Sequence, residues 1–431
     1  MNIFRALGQR NFRLFFIGQG LSMVGTWMQA VASGWLAYKL TNSAFMLGVV
    51  GFSSQAPIFL LGPFGGFLAD TGNKRRILVI TQALSMIEAL TLAALVLSGN
   101  IQVWHIAVLG FALGCINAFD MPVRQSFVVD MVEKKDMLGN AIALNSLQFN
   151  LARLIGPSVA GILMVLFGEG VCFLINGISF IAVIWALTAM SVPAPAKRPV
   201  AYKVWDGIRE GFHYVSGSLP MKHILILLSI VSITGASYVV LMPVFARDIL
   251  GGGPQTLGFL MSSAGIGALG ATVYLASRKT VRGLGKLIAV CASIFAFSLV
   301  AFSFSRSFTA SMAVLAVTGF SVMAHMAASN TILQTIADDD KRGRVMSFYT
   351  IAFIGTAPIG SLLAGIMASR VGASGTLIVC GSVCLVASAI FASKLPAIRG
   401  VIRPIYRKMG IVPEMASGIN AVNEFARPPE D

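Results

Sequence analysis

Charge is what this chain lacks. Only 11% of its 431 residues are Asp, Glu, Lys or Arg, against about 25% in ordinary globular domains. Acids are scarcer than bases, 17 against 32, and there are four His. Ionisable groups this few, with no metal-ligand spacing, argue against a metal site. A phosphate-cradling glycine loop and a Ser/His/Asp arrangement near a helix end are likewise missing. Neither an enzyme nor a bound cofactor is expected. The five cysteines (Cys115, Cys172, Cys291, Cys380 and Cys384) all fall in apolar runs, where thiols behave as small hydrophobes. The formal charge of +15 raises nucleic acid as a partner, but zinc spacings, RNA-binding aromatic signatures and long basic tracts are absent, so none is expected. A cleavable signal peptide is not evident either. Arg5, Arg10 and Arg13 precede a first apolar run far longer than a signal core.

What fills the chain is apolar residue, 56% of the total. Runs long enough to cross a bilayer, about 20 residues each, occur twelve times. They cover 14–38, 44–69, 77–98, 102–121, 138–167 and 171–191, then 223–246, 255–276, 286–304, 309–332, 345–369 and 374–393. This pattern predicts an all-α membrane protein. Four regions follow: a six-helix bundle over 1–191, a linker over 192–222, a second bundle over 223–396 and a basic tail over 397–431. In the linker, Trp205, Ile208, Phe212 and Val215 recur at helical spacing opposite Asp206, Arg209 and Glu210, predicting an amphipathic helix on the cytoplasmic surface. In the tail Pro404 argues against one continuous helix, and residues after about 413 look disordered.

The two bundles look related. Asp136–Gly168 slides 204 places, without gaps, onto Asp340–Gly372, with nine of 33 positions identical, among them Gly156/Gly360, Gly161/Gly365 and Gly168/Gly372. Internal repeats in a hydrophobic chain are a common plan of transporters. Basic residues suggest the orientation. Twenty-seven of 32 Lys and Arg lie in the termini and alternate loops; the opposite loops hold only Lys39, Arg247, Arg306 and Arg370, and Arg153 lies within a span. The positive-inside rule then places both termini in the cytoplasm, and the basic balance needs no polyanion partner.

After the second run comes Gly66-Phe-Leu-Ala-Asp70-Thr-Gly-Asn-Lys74-Arg75-Arg76. Gly permits a tight turn, an Asp at a helix end can face the positive N-terminus of another helix, and bases can bridge to neighbouring acids. This stretch resembles the loop signature of the major facilitator superfamily, with Thr71 where Arg is usual and Asn73 in place of a second Gly. The resemblance implies a cytoplasmic gate in which Asp70 faces the helix start near Val345, and Lys74 or Arg75 pairs with Asp120, followed on its face by Arg124. Ala152-Arg-Leu-Ile-Gly156-Pro157-Ser-Val-Ala160-Gly161 is similar to the fifth-helix motif of that superfamily's antiporters. Physically, Ala152, Gly156 and Ala160 form a small-residue face for close packing, and Pro157 frees a carbonyl and can kink its helix. Ser263, Gly267 and Ala271 offer a complementary face on the eighth span. The motifs RNFRLFFIGQ, GTWMQ, FDMPVRQSFV, NAIALN and KRGRVMSFY resemble the branch of enterobactin exporters and transmembrane secretion effectors. That implies two six-helix bundles related by a pseudo-twofold axis, a central cavity and outward export.

Polar residues inside the spans are the local evidence. Gln19, Ser22, Thr26, Gln29 and Ser33 form one face of the first span, and Ser146, Asn150, Arg153 and Pro157 repeat the pattern on the fifth. Such stripes face protein or a wet cavity; cavity lining is the favoured reading, extended to Asn117 and Ser321. Intramembrane charges are functional hypotheses by default. Arg153 lies about 22 Å into its helix and could bind an anionic substrate, or hold a structural bond to a carbonyl or to Glu88. Glu88 could carry a proton or be a structural acid. Asp120 is read as gate before proton carrier. His325, beside the 204-shifted equivalent of Asp120, is a structural His or a proton site.

The expected function is secondary active transport across a bacterial-type inner membrane: export of a small amphipathic molecule, of drug or siderophore class, driven by a proton gradient and by alternating access. An importer of a small solute and a lysophospholipid or lipid translocator share the fold and stay open as alternatives. The partners expected are the small-molecule substrate and the lipid bilayer, with a monomer as default.

Overall fold

The computed structural model describes residues 5–132, 137–190, 204–278 and 280–408. Beyond one turn of 3-10 helix at Arg5–Gly8, six long helices form the first half: α1 Arg10–Thr41, α2 Ala44–Thr71, α3 Lys74–Leu97, α4 Val103–Asp130, α5 Leu138–Phe167 and α6 Glu169–Ala189. A short helix, α7 Val204–Gly217, precedes the second half: α8 Leu219–Val244, α9 Pro254–Ala276, α10 Leu284–Phe304, α11 Phe308–Ile336, α12 Arg342–Thr350 and α13 Ala357–Lys408. A wide turn, Ile351–Gly355, joins α12 to α13. Ten segments among the described residues are long and apolar enough to cross a membrane. The last of these, Arg342–Arg407, bends at Gly372 into two limbs. α1 adds another span of 32 residues, less apolar because of its polar face. The protein is an integral membrane protein with an all-helical architecture.

Helix direction alternates, so the loops fall into two sets. The terminal end holds the start of α1, the α2–α3 turn, α7 and the α11–α12 loop. The opposite end holds the α1–α2, α8–α9 and α5–α6 connections. Two of these turns carry the 204-residue repeat into geometry. Gly168 closes α5 at φ 81°, ψ 171°, and Gly372 breaks α13 at φ 76°, ψ 167°. A side chain is strained at such an angle, which accounts for glycine at both places.

The seam between the halves is built on the same repeat. α5 runs against α9, and the first limb of α13 runs against α2. A Cβ on Gly258 of α9 would sit 3.1 Å from the Gly161 Cα, and one on Gly48 of α2 would sit 2.9 Å from the Gly365 Cα. Gly161 and Gly365 are 204 places apart, so one close approach is used twice. The complementary face on α9 differs from the expected one. Gly258, Ser262 and Gly265 meet α5, Ser262 donating to the Leu154 carbonyl at 2.6 Å. Ser263 instead donates to the Met312 carbonyl on α11, the side on which Gly267 and Ala271 also pack. One residue of helix turns the stripe by about 100°, enough to exchange partners.

α7 does not lie free on a surface. Its Tyr214 hydroxyl donates to Asp338 at 2.9 Å, Glu210 pairs with Arg344, and Lys341 stands 4.8 Å from the Tyr214 ring. Phe212 faces Phe348 at 6.4 Å. The helix is thus clamped to the α11–α12 connection of the second half. Nor does Pro404 end the tail helix. α13 continues through Pro396 and Pro404 to Lys408, with Ile398, Ile402 and Tyr406 buried along one side; packing of that stripe compensates the hydrogen bonds the prolines cannot make. The side chains of Trp205, Asp206 and Ile208, the first part of the expected linker and the tail after 408 lie outside the described residues.

Candidate functional site

The expected gate residues do not form one network. Asp120, 3% exposed, accepts from Thr81 Oγ1 and Gln82 Nε2, both at 2.8 Å, and faces Arg124 at 3.2 Å. These partners come from α3 and from α4 itself, so Asp120 binds within its own half. Lys74 pairs with Asp130 at 2.7 Å, and Arg75 donates to the Thr188 carbonyl. The pairing of Lys74 or Arg75 with Asp120 is therefore replaced: Asp130 lies nearer the helix end where those bases emerge. Asp70 is exposed and bonds to nothing among the described residues. Gly66, two turns of helix earlier than its loop, has open space beside it.

The polar stripe of α1 divides. Gln19, Ser22 and Gln29 are buried, Ser33 is half-buried and Thr26 is exposed, its hydroxyl donating to the Ser22 carbonyl. Gln29 donates its amide to both Glu88 oxygens at 2.8 and 3.1 Å and accepts from Asn176 at 2.7 Å. This chain ties α1, α3 and α6 together inside the first half. Gln29 is thus a structural bridge rather than a cavity wall, and Glu88 is bonded to Gln29 and not to Arg153. Asn176 was missed in the sequence: on its own helix only Ser179, three residues on, bonds to it, and the link to Gln29 of α1 is supplied by the third dimension. Asn150 is buried and donates to the Ser146 carbonyl at 2.9 Å; Ser146 is exposed and Asn117 half-buried. Ser321 is buried and donates to the Val317 carbonyl in its own helix. His325, fully buried, faces the Ile288 carbonyl of α10 at 3.3 Å. It packs on the preceding helix as Asp120 does on α3, so the two pseudo-equivalent positions have similar surroundings but separate partners.

α5 carries two faces. Ala152, Gly156 and Ala160 are buried, Gly156 close against Trp27 and Val24 of α1, while Pro157 and Gly161 meet α9. Pro157 cannot donate to the Arg153 carbonyl, and Gly265 of α9 lies against that oxygen, a Cβ there falling 3.2 Å away. Arg153 points toward a cavity of about 90 Å³ lined by Trp27, Arg153, Pro157, Tyr238, Val239, Met242, Met261 and Ala264. Its walls come from α1 and α5 of one half and α8 and α9 of the other. At the opposite end the halves are joined by polar bonds that sequence reasoning passed over. Tyr38 donates to Asp248, Arg247 donates to Asn42 Oδ1 at 2.7 Å, and the Arg247 guanidinium stands 5.8 Å from the Tyr38 ring. The signal was present: Arg247 and Asp248 are adjacent charges in a set of loops that has few.

The described architecture and an intramembrane cavity between two repeated halves coincide with a match over residues 2–403 to the family model of the transmembrane secretion effector. The chain belongs to that family of the major facilitator superfamily. It is a membrane transporter, not an enzyme. Members of the superfamily with curated names align along most of it. The staphyloferrin A transporter of Staphylococcus aureus is 27% identical over 375 residues, 86% of this chain and 92% of that protein. The multidrug efflux pump Tap of Mycolicibacterium fortuitum is 25% identical over 366 residues, covering 82% and 88%. Among solved structures, a POT family transporter in complex with 5-aminolevulinic acid superposes with a TM-score of 0.73 at 12% identity, over 90% of this chain and 97% of that one. At that identity the likeness speaks for the fold.

Proposed function

We infer that this secretion-effector family member exports small amphipathic molecules from the cytoplasm by alternating access, driven by proton entry. The observation that carries the reading is the asymmetry of the two ends. Tyr38, Asn42, Arg247 and Asp248 bond one half to the other at the opposite end, while Asp70, Lys74 and Arg75 at the terminal end make no bond to the second half among the described residues. The abundance of basic residues at the terminal end supports a cytoplasmic placement of that end, which the reading takes to be in an inner membrane of bacterial type. The conformation is then sealed outside and receptive inside, the state in which an exporter collects cargo. Two of its relatives, a staphyloferrin A transporter and a multidrug efflux pump, favour an amphipathic cargo.

The mechanism follows from the bonds. Cargo enters between α1 and α5 of one half and α8 and α9 of the other. Rocking breaks the Tyr38–Asp248 and Arg247–Asn42 bonds, and Asp70 gains partners as the terminal end closes. Asp120 couples protons: protonation cancels its ion pair with Arg124 and frees that guanidinium, while Thr81 and Gln82 keep their acceptor. The experiment is efflux of one hydrophobic dye, one macrolide and one catecholate from cells with and without the protein, each with and without a protonophore. Protein-dependent efflux that collapses with the gradient is expected. Efflux that survives the protonophore would remove the proton from the account, and protein-dependent uptake would reverse its direction.

A further inference from the structure

We propose that the cavity beside Arg153 is a binding subsite for a small carboxylate with an apolar or aromatic body, the guanidinium serving as its counter-ion. The inference rests on the transport reading above and names the class of cargo. Arg153 lies 5.9 Å from the centroid of the Trp27 ring and makes no ion pair or hydrogen bond among the described residues. The acids within the bundle or at its sealed end are committed elsewhere: Glu88 to Gln29, Asp120 to Arg124, Glu169 to Lys39 and Asp248 to Tyr38. Among the described residues Arg153 is thus left without an acid, in a wall that is otherwise aromatic, aliphatic and thioether.

An uncompensated guanidinium deep in a membrane is costly. A carboxylate removes that cost and can take two parallel N–H bonds from the planar fork. The rest of the cavity selects the rest of the molecule. Trp27 and Tyr238 bring aromatic rings to the wall, and Met242 and Met261 adapt to irregular apolar shapes. A volume of about 90 Å³ limits the occupant to a small molecule. Since α1 and α5 belong to one half and α8 and α9 to the other, an occupant neutralises Arg153 and touches both halves together. Loading the subsite thereby favours the rocking step. Cations are disfavoured at the same place by the same charge.

The test is binding to the purified full chain in lipid nanodiscs, by calorimetric titration of phenylacetate and its uncharged twin phenylacetamide. Phenylacetate is expected to bind about tenfold more tightly than the amide, the scale of a charge-assisted bond. Arg153→Gln erases that preference with the amide affinity unchanged, and Arg153→Lys retains part of it. The comparison of the two probes on the unaltered protein stands even where Arg153→Gln does not fold. Equal affinity for both probes, an Arg153→Gln protein that binds phenylacetate as before, or no saturable binding of phenylacetate would each overturn the proposal. Arg153-dependent binding in a protein that moves no compound would sink the transport reading and leave this one. Export of neutral cargo untouched by Arg153→Gln, with no preference for phenylacetate, would do the reverse.

Discussion

At the scale of single residues, the bonds around Glu88 and Asp120 separate two acids of similar burial. Glu88 accepts from Gln29 with both oxygens inside one half. Glu88→Gln offers Gln29 one oxygen and is expected to keep stability within about 1 kcal/mol, whereas Glu88→Leu strands a buried amide at about 1–3 kcal/mol; thermal melts in detergent measure both. Transport by Glu88→Gln should remain sensitive to a protonophore. Asp120→Asn keeps an acceptor for Thr81 and Gln82 but cannot hold Arg124, so the protein should fold and lose gradient dependence. If Glu88→Gln loses that dependence and Asp120→Asn retains it, the two roles are exchanged. The sequence made both acids legible as candidates and could not separate them, because depth along a helix is readable from spacing and bonding across three helices is not. Gln29 illustrates this. Its place on the α1 stripe was plain, but about 60° of rotation within that stripe decides between Thr26, exposed, and Gln29, buried against Glu88.

At the scale of elements, the seam and the clamp make separate predictions. Gly258 of α9 and Gly48 of α2 each admit no side chain without displacing the facing backbone. Gly258→Ala and Gly48→Ala are each expected to cost about 1–3 kcal/mol through overpacking, read as a lowered melting temperature, and similar losses at both would show that the two seams are equivalent. Ala tolerated at either position would contradict the close approach. For α7, Tyr214→Phe removes the bond to Asp338 and should speed amide hydrogen exchange over 209–217. Burial, first among the causes, holds the Tyr214 hydroxyl above its ordinary 10.0. A group raised in this way contributes stability that is complete below pH 10 and fades as pH climbs through its folded value. Protection of α7 should therefore be unchanged from pH 7 to pH 9 and be lost only above the ordinary tyrosine range. Hydrophobic periodicity gave the existence of α7 and its Phe212–Val215 face. Its docking partner was not visible, since Asp338 and Arg344 lie more than a hundred residues away. On α9 periodicity found small residues but not which side met which helix, for two small-residue faces one residue apart look alike in one dimension.

At the scale of the molecule, the twelve spans and the two-fold repeat were legible because bilayer thickness and a fixed 204-residue shift act on long stretches. Gly168 and Gly372 show how literal the repeat is, with φ of 81° and 76°. The conformation adopted was not legible: which end is sealed depends on a few bonds between halves, and those residues do not announce their partners. The central claim is that the seal at Tyr38, Asn42, Arg247 and Asp248 opens as the Asp70 end closes. Pulsed electron spin resonance on two spin-labelled pairs in nanodiscs tests it directly, with Leu40 and Gln255 at the sealed end, and Thr71 and Gly343 at the terminal end, each replaced by labelled Cys in a background whose native cysteines are removed. Adding Asp248→Asn, which weakens the seal, should lengthen the Leu40–Gln255 distance and shorten the Thr71–Gly343 distance in the same population. Distances that stay fixed, or that lengthen at both ends together, would contradict alternating access in this protein.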